Sequence, residues 1–128
     1  MSVCLDSWAI LAWLDGEEPA FSRVEALIGE RPVASWMNLV EVYYRVERDH
    51  GRIAADDTLT QLRGALSLDL PGTARMVEAA RLKARAAIAL GDCFAVATAA
   101  AHDAVLLTGD PEIIELTKSP CATEDLRP

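Results

Sequence analysis

The sequence predicts an α/β fold, a three-layer α/β/α sandwich with a central parallel sheet, and three observations carry that expectation. Short apolar runs recur along the chain, bounded by Asp, Gly and Pro. Each is followed by a longer segment whose apolar residues return at helical spacing. The 128 residues suit a single domain, residues 1–128, large enough to bury a core without disulfide or metal staples. Such alternation closes as parallel strands joined by right-handed crossovers, with helices over both faces of the sheet.

The elements follow in order. Val3-Cys4-Leu5 reads as a buried strand ending in Asp6-Ser7, and Trp8, Leu11 and Ala12 then keep helical spacing as far as Asp15-Gly16. Pro19 is placed to open a second helix, with Phe21, Val24, Leu27 and Ile28 on one face and Gly29 to close it. Arg31 to Ala34 offers a second strand. A helix from Ser35 runs through Met37, Val40, Tyr44 and Val46 to His50-Gly51, and another spans Ala54 to Leu66. Ser67 to Leu70 makes a third strand, stopped by Pro71-Gly72, before a helix from Thr73 to Ala87. Gly91-Asp92 starts an alanine-rich helix that ends near His102, and Ala104 to Thr108 is the last clear strand, closed by Gly109-Asp110-Pro111. Beyond it a helical turn and an irregular tail are expected.

Composition narrows the function classes. With 52% apolar and 25% charged residues the chain has a globular rather than a disordered balance. No stretch reaches the roughly 18 apolar residues of a membrane helix, and the N-terminus lacks a basic segment followed by a long apolar one. A soluble cytoplasmic protein without a membrane partner is expected. Cys4, Cys93 and Cys121 are scattered, with no Cys-x-x-Cys pair, which points to neither a disulfide framework nor a zinc site. A net charge of −8 argues against nucleic-acid binding through a broad basic face. The conflict with a nucleic-acid substrate shrinks if some acids form a metal site, because bound divalent ions neutralise part of the local charge and bridge to phosphate.

Twenty acidic residues are present, and most, such as Glu17, Glu18, Asp56, Asp57, Glu124 and Asp125, sit in polar clusters that read as wet surface. Four lie instead within or at the end of apolar patterns: Asp6 after Val-Cys-Leu, Glu41 between two valines, Asp92 within Leu90-Gly-Asp-Cys-Phe94, and Asp110 after Val105-Leu-Leu-Thr-Gly109. Taken singly, Asp6, Asp92 and Asp110 read as helix N-caps ahead of catalytic groups, and Glu41 as a half-exposed helix-face residue. Jointly they say more. Asp6 and Asp110 fall at the carboxyl ends of predicted strands, where open α/β sheets bind ligands, and Glu41 and Asp92 fall in first turns of helices that can point there. Four gathered carboxylates are unfavourable unless protons or cations compensate, and hard divalent cations with oxygen ligands do so. Sites of that kind perform phosphodiester chemistry, acidifying a water and stabilising the attacking and leaving oxygens.

The motifs Leu5-Asp6-Ser7, Asn38-Leu-Val-Glu41-Val-Tyr-Tyr44, Asp92-Cys-Phe94-Ala-Val-Ala-Thr98 and Leu107-Thr108-Gly109-Asp110 resemble, in order and placement, those of a PIN domain of the VapC toxin type. The resemblance implies a PIN-like α/β/α sandwich and a Mg2+- or Mn2+-dependent endoribonuclease, the toxin of a type II toxin–antitoxin pair. It implies metal coordination by Asp6, Glu41, Asp92 and Asp110, with Thr108 positioning an acid or a water. An RNA substrate, a cognate antitoxin protein and a homodimer are the implied partners. Cys93 replaces a small residue common beside the third acid, and Cys121 to Pro128 matches the family's closing strand poorly. Glu112 reads either as an auxiliary metal contact or as a first-turn helix acid.

Other residues have plainer readings. His50 and His102 lie near predicted helix ends, where a histidine interacts favourably with terminal carbonyls. Trp8, Trp13, Trp36, Tyr43 and Tyr44 give two N-terminal helices more aromatic surface than a short chain readily buries, which favours a homodimer or an antitoxin contact over base stacking. Arg75, Arg81, Lys83 and Arg85 form the densest basic stretch and read as a solvated helix face. Two alternative functions are weighed. Aspartyl phosphotransfer through Asp6 lacks the second Asp two residues on, where Trp8 stands. A catalytically silent PIN-fold module acting through its antitoxin partner is the remaining alternative.

Overall fold

The computed structural model describes residues 2–128. Five strands form one sheet of order β3-β2-β1-β4-β5, and every pairing is parallel. β1 is Val3–Leu5, β2 Val33–Ser35, β3 Ser67–Asp69, β4 Val105–Thr108 and β5 Thr123–Asp125. The helices are α1 Ser7–Leu14, α2 Ala20–Leu27, α3 Trp36–His50, α4 Arg52–Ala65, α5 Thr73–Arg85, α6 Leu90–Ala101 and α7 Pro111–Ile114.

The strand pleat assigns side chains to two cores. Val3 and Leu5 of β1 and Leu107 of β4 turn to one face, packing with Ile10, Val24, Leu39, Val42 and Leu62 from α1 to α4. Cys4 and Leu106, one step along the same strands, turn to the other face and meet Leu82 of α5 and Phe94 to Ala97 of α6. Helix layers therefore cover both sides of the sheet, as the sandwich requires. Among the described residues no helix is long and apolar enough to cross a membrane. Burial pushes the thiols of Cys4, Cys93 and Cys121 up from their ordinary range.

Four expectations need correction. β2 begins two residues later than the run from Arg31, because Arg31 takes a left-handed φ of 52° after the 3-10 turn Ile28–Glu30. Gly29 lies inside that turn rather than closing α2. α4 starts at Arg52, directly after Gly51, whose φ of 91° makes the corner between α3 and α4. The tail is not irregular: Thr123–Asp125 pairs with Leu106–Thr108 as the closing edge strand. Its polar residues suit an edge, Leu126 behind it is buried, and Glu124 is held by Arg23 at 2.7 Å.

Candidate active site

Strand order reverses at β1, which has β2 on one side and β4 on the other. Crossovers leave in opposite directions from such a point, opening a crevice beyond the carboxyl ends of the two central strands. Asp6 follows β1 directly, and Thr108 ends β4 two residues before Asp110.

Asp6 caps α1, its Oδ1 accepting from the Ala9 amide at 2.8 Å. Its Oδ2 accepts from the Thr108 hydroxyl, and the Thr108 oxygen in turn accepts from the Asp110 amide at 3.0 Å. Thr108 thus joins the two acids through one buried hydroxyl. Burial pushes the Asp6 carboxyl up to about 7 against those hydrogen bonds, helped by the charges of Asp110 and Glu41. Gly109 between Thr108 and Asp110 leaves no room for a side chain, because a Cβ there would run into the Trp8 ring. Asp110 caps α7 through the Glu112 amide at 2.9 Å, with Pro111 in the first turn.

Asp92 enters from the first turn of α6 and is buried, and among the described residues its Oδ2 has no hydrogen-bond partner. It is also pushed up to about 7, by burial first and then by Asp110, Asp6 and Glu112. Glu41, on α3, accepts from the buried Ser7 hydroxyl at 2.7 Å and meets Arg45 at 3.5 Å. Asn38, one turn before Glu41, donates to the Gly91 carbonyl at 3.1 Å and so ties α3 to the turn carrying Asp92.

Asp6, Asp92 and Asp110, with Glu41 acting on Asp6, therefore share one electrostatic neighbourhood. Both capping and clustering are true of Asp6 and Asp110 at once. Among the described residues, no three His, Cys, Asp or Glu side chains form a ready-made metal cage. The physical reason is visible in the bonds: Asp6 is held by Ala9 and Thr108, Asp110 by Glu112, and Glu41 by Ser7. The chemistry of the set still fits a hard divalent cation, since all donors are oxygens and the Asp92 carboxylate keeps a buried oxygen without a partner.

Ser7 and Asn38 stand in the motifs but had no role assigned from the sequence. Each had a signal, Ser7 beside the first acid and Asn38 three positions before Glu41 on one helix face. His102 does cap the end of α6, but its ring meets the Asp69 carboxylate at 2.7 Å and is not in the crevice. The tryptophans are less available than expected: Trp8, Trp13 and Trp36 pack against the core, and the Trp13 indole donates to Glu25 at 2.7 Å.

Together these features define a class, an all-parallel α/β sandwich with an acidic crevice at its topological switch point. Residues 3–119 match the family model of the PIN domain, and the chain belongs to the PIN-domain family. No curated protein matches the sequence. In solved structures the fold is similar to the DNA-bound VapBC from Salmonella typhimurium, with 16% identity, 99% of each chain covered and a TM-score of 0.79. VapBC2 from Rickettsia felis, bound to a promoter DNA fragment, gives 16% identity, 98% of each chain and a TM-score of 0.77. VapC20 from Mycobacterium tuberculosis, described as a toxin cleaving the sarcin-ricin loop, gives 14% identity, 88% of this chain, 93% of that one and a TM-score of 0.71. At such identities the likeness is one of fold.

Proposed function

We propose that the protein is a metal-dependent endoribonuclease hydrolysing RNA phosphodiester bonds, and the toxin of a type II toxin–antitoxin pair acting in the cytoplasm. The observation that carries this reading is the buried, unpartnered oxygen of Asp92, whose carboxyl is pushed up by burial and then by the charges of Asp110 and Asp6. An unpaired buried carboxylate is costly, and a protein without use for it gains by replacing it. Membership in the PIN family and the fold shared with VapC-containing complexes support the same reading.

In this proposal Asp6, Glu41, Asp92 and Asp110 hold Mg2+ or Mn2+. When bound, the cation supplies charge compensation at the phosphate and acidifies the attacking water. The chain's own residues do the rest. Thr108 orients Asp6 by donating to it and fixes the Asp110 backbone by accepting from it. Ser7 holds one oxygen of Glu41, leaving the other to Arg45 at 3.5 Å. Asn38 sets the distance between α3 and α6, and the Trp8 ring over Gly109 keeps that turn closed to side chains.

The partner surface is proposed to be the groove of about 650 Å³ along α3 and α4, lined by Trp36, Val40, Tyr43, Tyr44 and Leu59. Val40 and Tyr44 are exposed one turn apart, the spacing that receives the apolar face of an antitoxin helix. A homodimer belongs to the same proposal and is checked by light scattering at micromolar concentration, where a strictly monomeric mass counts against it.

Cleavage of structured RNA by wild type and by Asp92→Asn, with Mg2+, with Mn2+ and with chelator, tests the function. Asn keeps the side-chain shape and loses the charge, so activity is expected only in the wild type with metal, while melting shows both proteins folded. Equal cleavage by the two, or cleavage in chelator, contradicts the metal-nuclease reading. Absence of cleavage by the wild type under every condition favours the silent binding module.

A further inference from the structure

Resting on the nuclease reading, we propose that Arg45 is a substrate-binding residue that receives an RNA phosphate beside the acids. A cleft of about 330 Å³ opens between α1 and α3, lined by Ser7, Trp8, Asp15, Glu17, Glu41, Arg45 and Asp110 among others. Among the described residues Arg45 is the single cation of that lining, which also carries four carboxylates. It lies one helical turn beyond Glu41, yet the pair meets at only 3.5 Å, and the other Glu41 oxygen is taken by Ser7 at 2.7 Å. The Arg45 Nε is shielded from solvent and has no hydrogen-bond partner. A guanidinium carries donors in a planar fork, so this cation is under-used by its own protein.

The missing acceptor has a definable chemistry. It is anionic, because a charge-assisted bond is what offsets the desolvation of an arginine N–H. It presents two oxygens at the spacing of a fork, as phosphate does. A free simple anion is repelled by Glu41, Asp110, Asp15 and Glu17, which outnumber the one cation. A phosphate of an RNA chain whose neighbouring phosphate is engaged at the acid site is not so excluded, since its attachment supplies a high local concentration. Arg45 then holds the strand next to the bond that is cut, acting on binding and register and leaving the ion to the carboxylates.

The test uses the full chain, a labelled stem-loop RNA and Mn2+. Arg45→Gln is expected to lower kcat/KM about tenfold, mainly through KM, as loss of one charge-assisted contact does. The slope of log kcat/KM against log salt should shrink by about 0.7, the value for one phosphate contact on a single strand. Mn2+ affinity, read by titration calorimetry, should be unchanged or tighter, because a cation beside Glu41 has gone. Arg45→Lys keeps the charge, so it should keep the salt slope while recovering only part of KM. An unchanged KM and salt slope in Arg45→Gln, with the wild type cutting RNA, overturns this role and leaves the nuclease reading standing. Weakened Mn2+ binding overturns it too, since Arg45 would then act through Glu41. A wild type that cuts no RNA sinks the nuclease reading, and this role with it.

Discussion

Asp6 and Asp69 each stand at the carboxyl end of a strand, and the sheet gives them opposite fates. Asp69 ends β3 at the edge of the domain, where burial would raise its pKa. Hydrogen bonds from His102 and Arg75 outweigh that and hold its carboxyl below the usual range. Asp6 follows central β1 with Thr108 and Ala9 as donors and, among the described residues, no basic partner, and it is pushed up to about 7. Asp92, likewise without a basic partner, behaves as Asp6 does. The comparison separates a carboxylate that ties elements together from carboxylates left short of positive charge. Only the second kind is available to a cation from outside.

The largest effect that sharpens this contrast is on activity. Asp92→Asn is expected to lower RNA cleavage about a hundredfold or more, the scale for loss of a group that stabilises the transition state. Asp69→Asn should leave cleavage within a few fold, measured as initial rates in Mg2+. A comparable loss from both would erase the distinction.

Next in size are opposite effects on stability. Arg75→Met removes an ion-pair partner from a half-buried carboxylate and should cost about 1–2 kcal/mol by denaturant unfolding. Asp92→Asn removes an unpaired buried charge, so in chelator at pH 7.5 it should melt about 2–5 °C above the wild type. A lower melting point for Asp92→Asn would show that the charge is satisfied in the metal-free protein.

The pH dependence has opposite signs at the two places. A carboxyl raised to about 7 in the fold favours the protonated state, so Asp6 and Asp92 lower metal-free stability as pH rises from about 4 towards 7, with no further loss above. Asp69, held low, adds stability above the ordinary carboxylate range and loses it as pH falls below that range. The metal-free wild type should therefore melt higher at pH 5 than at pH 7.5, and Asp92→Asn should show a smaller difference. A flat profile between those values breaks the account of both buried acids.

The smallest effect concerns Thr108. Thr108→Val keeps shape and loses the hydroxyl that joins Asp6 to Asp110, and about a tenfold drop in kcat is expected. Thr108→Ser should recover most of it. Equal activity in Thr108→Val would reduce the residue to core packing.

Much of this was legible in the sequence, for a physical reason. Strands buried on both faces leave unbroken apolar runs, so Val3-Cys4-Leu5 and Val105-Leu-Leu-Thr108 announced the two central strands, and the acids after them fell at the crevice. β5 was hidden because an edge strand need not be apolar: Thr123, Glu124 and Asp125 look like tail until Leu106 to Thr108 lie beside them. The roles of Asp6 and Asp69 were hidden for a related reason. Both sit among apolar neighbours, and what distinguishes them includes His102, thirty-three residues from Asp69 and visible only once α6 packs over the sheet. Arg45 was equally unremarkable in sequence, because an arginine four residues after a glutamate reads as an ordinary helix pair.

In the proposed function a divalent ion meets the short supply of positive charge around Asp6 and Asp92, and Mn2+ titration calorimetry at pH 6.5 in two buffers of different ionisation enthalpy reads that binding out. Saturable binding by the wild type with release of protons is the expected result, because acids pushed up to about 7 must deprotonate to hold the ion. Asp92→Asn should lose most of that affinity, and Asp69→Asn should keep it. Binding of equal strength by the wild type and Asp92→Asn, or no proton release on binding by the wild type, would contradict the account.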